Sequence, residues 1–461
     1  MIKKFFHAVM ACGLIALVMS CEDQKFNNIN VDVDKVELDH LTPDMIKVRD
    51  YVPETPEETE AAYRWAREIG ADYLECDMQV SKDGVVLALH DDNLKRTTNI
   101  ENVFGETIPY EIRKAYYQKI GYSEAEAEAL VKEDAKNFVP NLPAYYTYEE
   151  LMMLDAGTWF NETSIEQARP SFASQHQYIS TLEDLVAYSK GKMLERDAQG
   201  KRVFTMGQKT GEKIKSLSGT ADVIKYTFGY VDDPEDTGNR PGIYIEFKEP
   251  WLNPTGFEEI VYKELDRLGM NIITQPEPES NPFYVNGKVN TGNTNGKVIL
   301  QTFSLESLVR VAEHFEGKVP MCFLLWKGTG ATDITYDDPL GYASFINLGV
   351  KYKAHFIGPC IAGAPNNYPE LNQPWQDYLI HKAGMKNHPY TFDTYDQMAK
   401  YFGQYNFGVE IDGKYKAPYL DALFTNHSDM SINYMITQGW RKSPASETLV
   451  DAKVVLERLG Y

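Results

Sequence analysis

The residues that could do chemistry fall in two short stretches. In ADYLECDMQVSKDGVVLALHDD (71–92), Glu75 and Asp77 stand one residue apart in an otherwise apolar run, and His90 follows a second such run. In IYIEFKEPW (243–251), Glu246 and Lys248 have the same spacing. Alternate residues of a strand share a face, so Glu75, Asp77 and Gln79 lie on one side of their run. Val86, Ala88 and His90 do so on the second, and Glu246 and Lys248 on the third. Three carboxylates converging from separate strands are hard oxygen donors suited to Ca²⁺ or Mg²⁺. Such a cluster is costly to bury without a cation. His90 is suited to proton transfer. The pattern equally suits exposed carboxylates on an amphipathic hairpin with a hydrogen-bonded structural histidine, and the residues alone leave both readings open.

These residues need strands to position them. The link VSKDG (80–84) is too short for a crossover helix, so the first two runs form a hairpin. A two-residue turn at Asp83-Gly84 puts Asp77 opposite His90, and a turn one residue earlier puts Glu75 there. MIKV (45–48), IYIEF (243–247), KVILQTF (297–303), MCFLLW (321–326), AHFIGP (354–359), HPYTF (388–392) and YLDALFT (419–425) read as further strands. PEETEAAYRWAREIG (56–70), TGFEEIVYKELDRLG (255–269) and SLESLVRVAEHF (304–315) read as amphipathic helices. Alternation of apolar strands with helices predicts an α/β fold with a parallel sheet. Roughly eight strands make it a (β/α)8 TIM-type barrel, with the hairpin replacing one crossover. In such a barrel the chemistry collects at the C-terminal ends of the strands, where Glu246 sits. Long loop insertions are expected at about 100–178, 190–240 and 276–297. Within the first, SEAEAEALVKED (123–134) is a solvated helix with Ser123 and Glu126 spaced as a capping box.

The 461 residues carry a net charge of −21, which argues against nucleic acid as a partner. A bound phosphate would have to be met locally, by a metal or a few placed basic residues. Lys3 and Lys4 precede an apolar run from Phe5 to Met19 that is too short to span a membrane, so 1–20 reads as a signal peptide. LVMSC (17–21) resembles a lipobox, which makes Cys21 the acylated first residue of the mature chain and 21–42 a polar tether before a domain at 43–461. The expectation is an exported lipoprotein on the outer membrane or cell surface of a Gram-negative bacterium, held to the membrane by an N-terminal lipid anchor. Cys76, Cys322 and Cys360 form no CxxC pair, which argues against zinc, and leave a Cys322–Cys360 disulfide open.

Six blocks together resemble a known family. GADYLECDMQVSKDGVVLALHDDNLKRTT (70–98), YEELMMLDAGTWF (148–160), ISTLEDL (179–185), IYIEFKEPW, VILQTFSLESL (298–308) and LDALFTNHSD (420–429) are similar, in this order, to blocks of the glycerophosphodiester phosphodiesterase family. The likeness spans about residues 45–435 and is greatest to the exported, calcium-using bacterial branch. The resemblance implies a metal-dependent phosphoric diester hydrolase that cleaves a glycerophosphodiester or a related phospholipid headgroup. It puts Glu75, Asp77 and Glu246 on the metal ligands, with Ca²⁺ as the cation and Mg²⁺ the alternative. His90 falls on one of two catalytic histidines, Lys248 near the phosphate, and Tyr390 where a Trp usually lines the substrate site.

One block departs. The family opens with His-Arg-Gly, five residues and Pro-Glu-Asn-Thr; here the spacing reads Val48-Arg49-Asp50, then Pro56-Glu57-Glu58-Thr59. Arg49 keeps a phosphate fork. Val48 replaces the first histidine and cannot transfer a proton, a loss of about 10²–10⁴ in rate if nothing substitutes. Asp50, on the same face if the strand continues, is the nearby candidate to share that role. His40 lies in a pre-barrel segment and is not expected to stand in. Two other readings follow from Val48: a surface lipoprotein that binds phosphodiesters or phosphorylated glycans without cleaving them, and a lyase that yields a cyclic phosphate.

Overall fold

The computed structural model describes residues 55–164, 167–276, 298–327, 334–363, 367–405, 420–441 and 449–461, together with two short strands at 284–289. The described residues divide into a larger unit, within 55–322 and 427–461, and a smaller one, within 323–426.

In the larger unit the strands are β1 (Tyr73–Val80), β2 (Val86–Ala88), β3 (Lys192–Leu194), β4 (Phe204–Ser216), β5 (Gly219–Phe228), β6 (Tyr230–Asp232), β7 (Gly242–Phe247), β8 (Tyr284–Val285), β9 (Lys288–Val289) and β10 (Val298–Thr302). β11 (Met321–Leu325) follows at the boundary, and β12 (Phe356–Pro359) and β13 (Lys386–Asn387) belong to the smaller unit. Helices Phe257–Arg267, Leu305–Phe315, Pro339–Lys351 and Pro374–Lys382 alternate with β7, β10, β11, β12 and β13. β1 pairs in parallel with β7, β7 with β10, and β12 with β13. Every residue of β7 and β10 is buried, as near-continuously apolar parallel strands require. This is the strand–helix succession of a (β/α)8 barrel. The β1–β2 hairpin stands where a crossover helix would.

Helix Glu60–Ile69 leads into β1. Its Ala61, Trp65 and Ile69 recur at helical spacing and pack against Phe160, Phe172, Ile432, Leu456 and Leu459. It ends at Gly70, whose φ of 108° suits a residue without a Cβ, and the Gly70 amide donates to the carbonyls of Ala66 and Arg67. Thr59 is the N-cap, but its hydroxyl donates to the Pro56 carbonyl instead of accepting from the helix.

Several expectations about elements need correction. The hairpin has a three-residue loop, Lys82-Asp83-Gly84, because Ser81 and Val85 close it: the Ser81 amide donates to the Val85 carbonyl and the Val85 amide to Ser81 Oγ. Gly84, at φ 92°, supplies the left-handed residue that such a loop demands. Met78 therefore pairs with Ala88, and the Leu89 amide donates to the Asp77 carbonyl at 2.7 Å. Neither Asp77 nor Glu75 is opposite His90. The expected strand at 388–392 starts earlier, at Lys386–Asn387, and its hydrogen bonding to the β12 segment continues past Pro389, with the His388 and Tyr390 amides donating to the Ile357 and Pro359 carbonyls. Residues 420–425 form no strand, although the Asp421 and Phe424 amides donate to the Asn387 and Pro389 carbonyls. The expected strand at 45–48 lies outside the described residues. Cys76, Cys322 and Cys360 are free and buried, with Cys360 Sγ directed at the Pro369 carbonyl.

Residues 190–240 carry structure where a loop was expected. β3 pairs with β6, and β4 with β5 in a long two-stranded ribbon. Asp233 pins this segment to helix Glu60–Ile69, accepting from Arg64 through both oxygens at 2.7 and 2.8 Å and from Arg67 at 2.5 Å. The ribbon grips the β1–β2 loop through Asp83. This buried carboxylate accepts from Ser81 Oγ at 2.8 Å, the Tyr148 amide at 2.9 Å and the Tyr226 hydroxyl at 2.7 Å. In the first expected insertion, Ser123 and Glu126 form the capping box of helix Glu124–Lys136. Replacing Asp83 by Ala strands three buried donors and should cost about 3 kcal/mol of unfolding free energy, read as a lower denaturation midpoint.

Candidate active site

Strand register brings the acids together. In the β1–β7 pairing Asp77 is beside Glu246, with Glu75 two residues back on the same face. β10 adds Gln301 beside Glu246, and its Nε2 donates to Glu75 Oε1 at 2.7 Å. Lys248, just beyond β7, reaches across with Nζ 3.5 Å from Asp77 Oδ1 and 3.8 Å from Glu246 Oε1. Asn253 fixes the turn that carries Lys248: its Oδ1 accepts from the Val80 amide at 2.9 Å and its Nδ2 donates to the Lys248 carbonyl at 2.8 Å.

A fourth carboxylate, invisible in the strand pattern, joins from the turn before the first helix. Glu58 Oε1 accepts from the Asp77 amide at 2.9 Å. One carboxylate oxygen each from Glu58, Glu75 and Asp77 lie within 4.8 Å of one another. Two oxygens on opposite sides of a cation at about 2.4 Å are about that far apart, so these three fit a Ca²⁺-sized ion. The donors are all hard oxygens, and Glu58 Oε2 and Gln301 Oε1 are buried without hydrogen-bond partners. The residues present therefore fit a divalent cation. Burial, then the neighbouring Asp77, pushes the carboxyls of Glu58, Glu75 and Glu246 well above the usual carboxylate range. Burial lowers the affinity of Lys248 for its proton, but Asp77 and Glu246 outweigh it and hold the ammonium charged.

His90 arrives by a route that alternation does not describe. β2 ends at Ala88, on the face of Met78, and the chain bends at His90. Gln79, on the acid face of β1, ties down the bend by donating to the carbonyls of Leu89 at 2.8 Å and Asp91 at 2.6 Å. The imidazole is half exposed and its Nδ1 is 2.7 Å from Asp91 Oδ1. Asp91 in turn takes Arg96 Nε at 2.5 Å, and Arg96 pairs with both oxygens of Glu57. The bond to Asp91 is the main cause raising the His90 pKa above the usual imidazole value, and the Asp77 charge adds to it. Sequence reasoning missed Glu57, Glu58, Asp91 and Arg96. The signal for three of them was their charge beside the block PEET and in HDD.

Of the other candidates, Tyr390 lies in the smaller unit, buried, with its hydroxyl donating to the Leu325 carbonyl at 3.0 Å. Arg49, Asp50 and Cys21 lie outside the described residues, as do Val48 and His40.

Residues 49–228 match the model of the glycerophosphoryl diester phosphodiesterase family. A glycerophosphodiester phosphodiesterase of Bacillus subtilis is 25% identical over 380 residues, which is 81% of this chain and 80% of that protein. A glycerophosphoinositol inositolphosphodiesterase of Mus musculus is 29% identical over 277 residues, 53% of this chain and 45% of its own length. A solved phosphodiesterase from Oleispira antarctica, in complex with the product sn-glycerol-3-phosphate, superposes on 83% of this chain and 92% of its own at 15% identity and a TM-score of 0.42. The relatives that match in sequence are phosphodiesterases, and the acids clustered on parallel strands beside a histidine accompany that likeness. Over residues 49–228 the chain is thus similar to the glycerophosphoryl diester phosphodiesterase family.

The Asp91 contact has a measurable consequence. In Asp91→Asn the imidazole loses its strongest stabilising partner, so its NMR titration midpoint should fall from above the usual imidazole value toward or below it. An unchanged midpoint would mean that Asp91 does not set the His90 charge.

Proposed function

We propose that this protein is a divalent-metal-dependent hydrolase that cleaves a glycerophosphodiester or the headgroup of a related phospholipid. The observation that carries the reading is the meeting of Glu75 and Asp77 of β1 with Glu246 and Lys248 at the C-terminal end of β7, with the His90–Asp91 pair next to them. Glu75, Asp77 and Glu246 would hold the ion, Ca²⁺ or alternatively Mg²⁺, which supplies positive charge against the phosphate oxygens where negative charge grows. Lys248, kept protonated by its acidic neighbours, offers a second positive contact to the same phosphate. Asp91 holds Nδ1 of His90, which leaves Nε2 to exchange a proton with the substrate. In hydrolysis a water oxygen bonds to phosphorus, the bond to the alcohol oxygen breaks, and the water's proton is balanced by one delivered to the leaving alkoxide. Arg49 is assigned to the phosphate, and Asp50 to the proton transfer that Val48 cannot perform.

Val48 favours a second reading, in which phosphodiesters or phosphorylated glycans are bound and not hydrolysed. The two separate cleanly by phosphorus NMR of purified protein with Ca²⁺ and a glycerophosphodiester. Hydrolysis predicts a phosphomonoester signal, slowed about 10²–10⁴-fold in His90→Ala and lost on chelation. A cyclic phosphate would mean attack by a neighbouring substrate hydroxyl, and an unchanged diester would establish the binding reading.

Export belongs to the same proposal. The run Phe5–Met19 followed by LVMSC supports acylation of Cys21 and a membrane-surface location. Cys21→Ser should move the protein from the membrane to the soluble fraction and remove the acyl mass from the N-terminal peptide.

A further inference from the structure

We infer that Glu58 is a ligand in its own right, so that the cation is held by four carboxylates from three segments of chain. The inference rests on the metal-site reading above and deepens it. Glu58 belongs to neither strand. It sits in the turn between Pro56 and helix Glu60–Ile69 at φ 53°, a conformation that non-glycine residues rarely adopt. From there one oxygen accepts the Asp77 amide at 2.9 Å, which fixes the carboxylate against β1. The other oxygen, Oε2, is buried and has no hydrogen-bond partner.

A buried carboxylate oxygen with no donor is costly, and few native groups are left so without a reason. The nearest ammonium does not supply one, because the ion pairs of Lys248 are with Asp77 and Glu246. The oxygens of Glu58, Glu75 and Asp77 are close enough together to share one ion. An amide side chain would serve the Asp77 hydrogen bond equally well, so that bond does not explain why the residue is charged. A cation explains both the charge and the unmet oxygen. Four acids also suit Ca²⁺, which accepts six to eight oxygens in flexible geometry, better than Mg²⁺, which keeps several waters in a strict octahedron.

The test uses the full chain and the isosteric Glu58→Gln, which keeps the acceptor for the Asp77 amide and removes the charge. Ca²⁺ and Mg²⁺ binding are measured by calorimetry, and thermal unfolding is followed with chelator and with Ca²⁺. A fourth ligand predicts Ca²⁺ affinity weakened at least about tenfold. It also predicts a higher melting temperature for the chelated protein, which loses one buried repulsive charge, and a smaller gain on adding Ca²⁺. Glu75→Gln and Asp77→Asn are run in parallel. If they abolish binding and Glu58→Gln leaves affinity and both melting temperatures unchanged, Glu58 is only a backbone acceptor, and the three-ligand reading stands without it. If none of the three variants alters Ca²⁺ binding, the metal site itself is wrong and the inference falls with it.

Discussion

The mutual repulsion of carboxylates on β1 and at the end of β7 is the constraint around which the larger unit is organised. Two like charges 4 Å apart repel by about 4 kcal/mol at an effective dielectric constant of 20. Asp77 and Glu246 are buried, Glu58 and Glu75 stand beside Asp77 partly buried, and the only ammonium that the described ion pairs bring to them is Lys248. The raised pKa values of Glu58, Glu75 and Glu246 express that imbalance, with burial as the largest cause. The sign of the linkage follows. Carboxyls whose folded pKa lies above the unfolded value are accommodated while protonated, and they weaken the fold as the pH rises through the unfolded carboxylate range. Positive charge reverses the balance, so the same groups that destabilise an empty site stabilise a loaded one.

Holding such a cluster requires rigid neighbours, and they come from the barrel. The parallel register that sets Asp77 against Glu246 joins β1 to the fully buried β7, where a one-residue slip would carry the acids to the opposite face of their strand. Neutral hydrogen-bond donors then finish the positioning. Gln301 orients Glu75, Asn253 ties the Lys248 turn to Val80, and Gln79 anchors the bend that carries His90. Placing amides in these positions orients the acids and the imidazole without adding further charge to the cluster. The long β4–β5 ribbon, by clasping Asp83, steadies the hairpin loop just beyond the site.

What was legible in the sequence follows from periodicity. Glu75 and Asp77 in β1, and Glu246 in β7 with Lys248 just beyond it, are spaced two residues apart, so their shared faces could be read directly. His90 was found by residue type, but its placement was misjudged. Register depended on Ser81 closing a three-residue loop, and the strand stopped before alternation reached the histidine. Glu58 was invisible for a different reason: a turn residue at positive φ obeys no period, and only the fold brings it to Asp77. Likewise, Arg96 meets Asp91 locally, but its pairing with Glu57 spans 39 residues and needed tertiary structure. The segment 190–240 looked like loop because β4 and β5 are largely exposed and polar, which blurs the apolar pattern that marks a core strand.

On the proposed reading, the charge state of His90 bears on which half of the proton transfer is lost at Val48. An imidazole held above its usual pKa by Asp91 keeps its proton to higher pH, which suits it to donate to a leaving alkoxide more than to withdraw a proton from water. Arg96 adds to this bias indirectly. By pairing with Asp91 and Glu57 it keeps Asp91 ionised, and an ionised Asp91 is what favours imidazolium. On the proposed reading the acid half of the chemistry is therefore intact, and the half missing at Val48 is the base. That burden is the lighter one to reassign. A carboxylate such as Asp50 can accept a proton where valine cannot, and a substrate hydroxyl already held beside phosphorus attacks with the advantage of proximity. A site that retained only a base would have no such substitute for protonating the departing alkoxide.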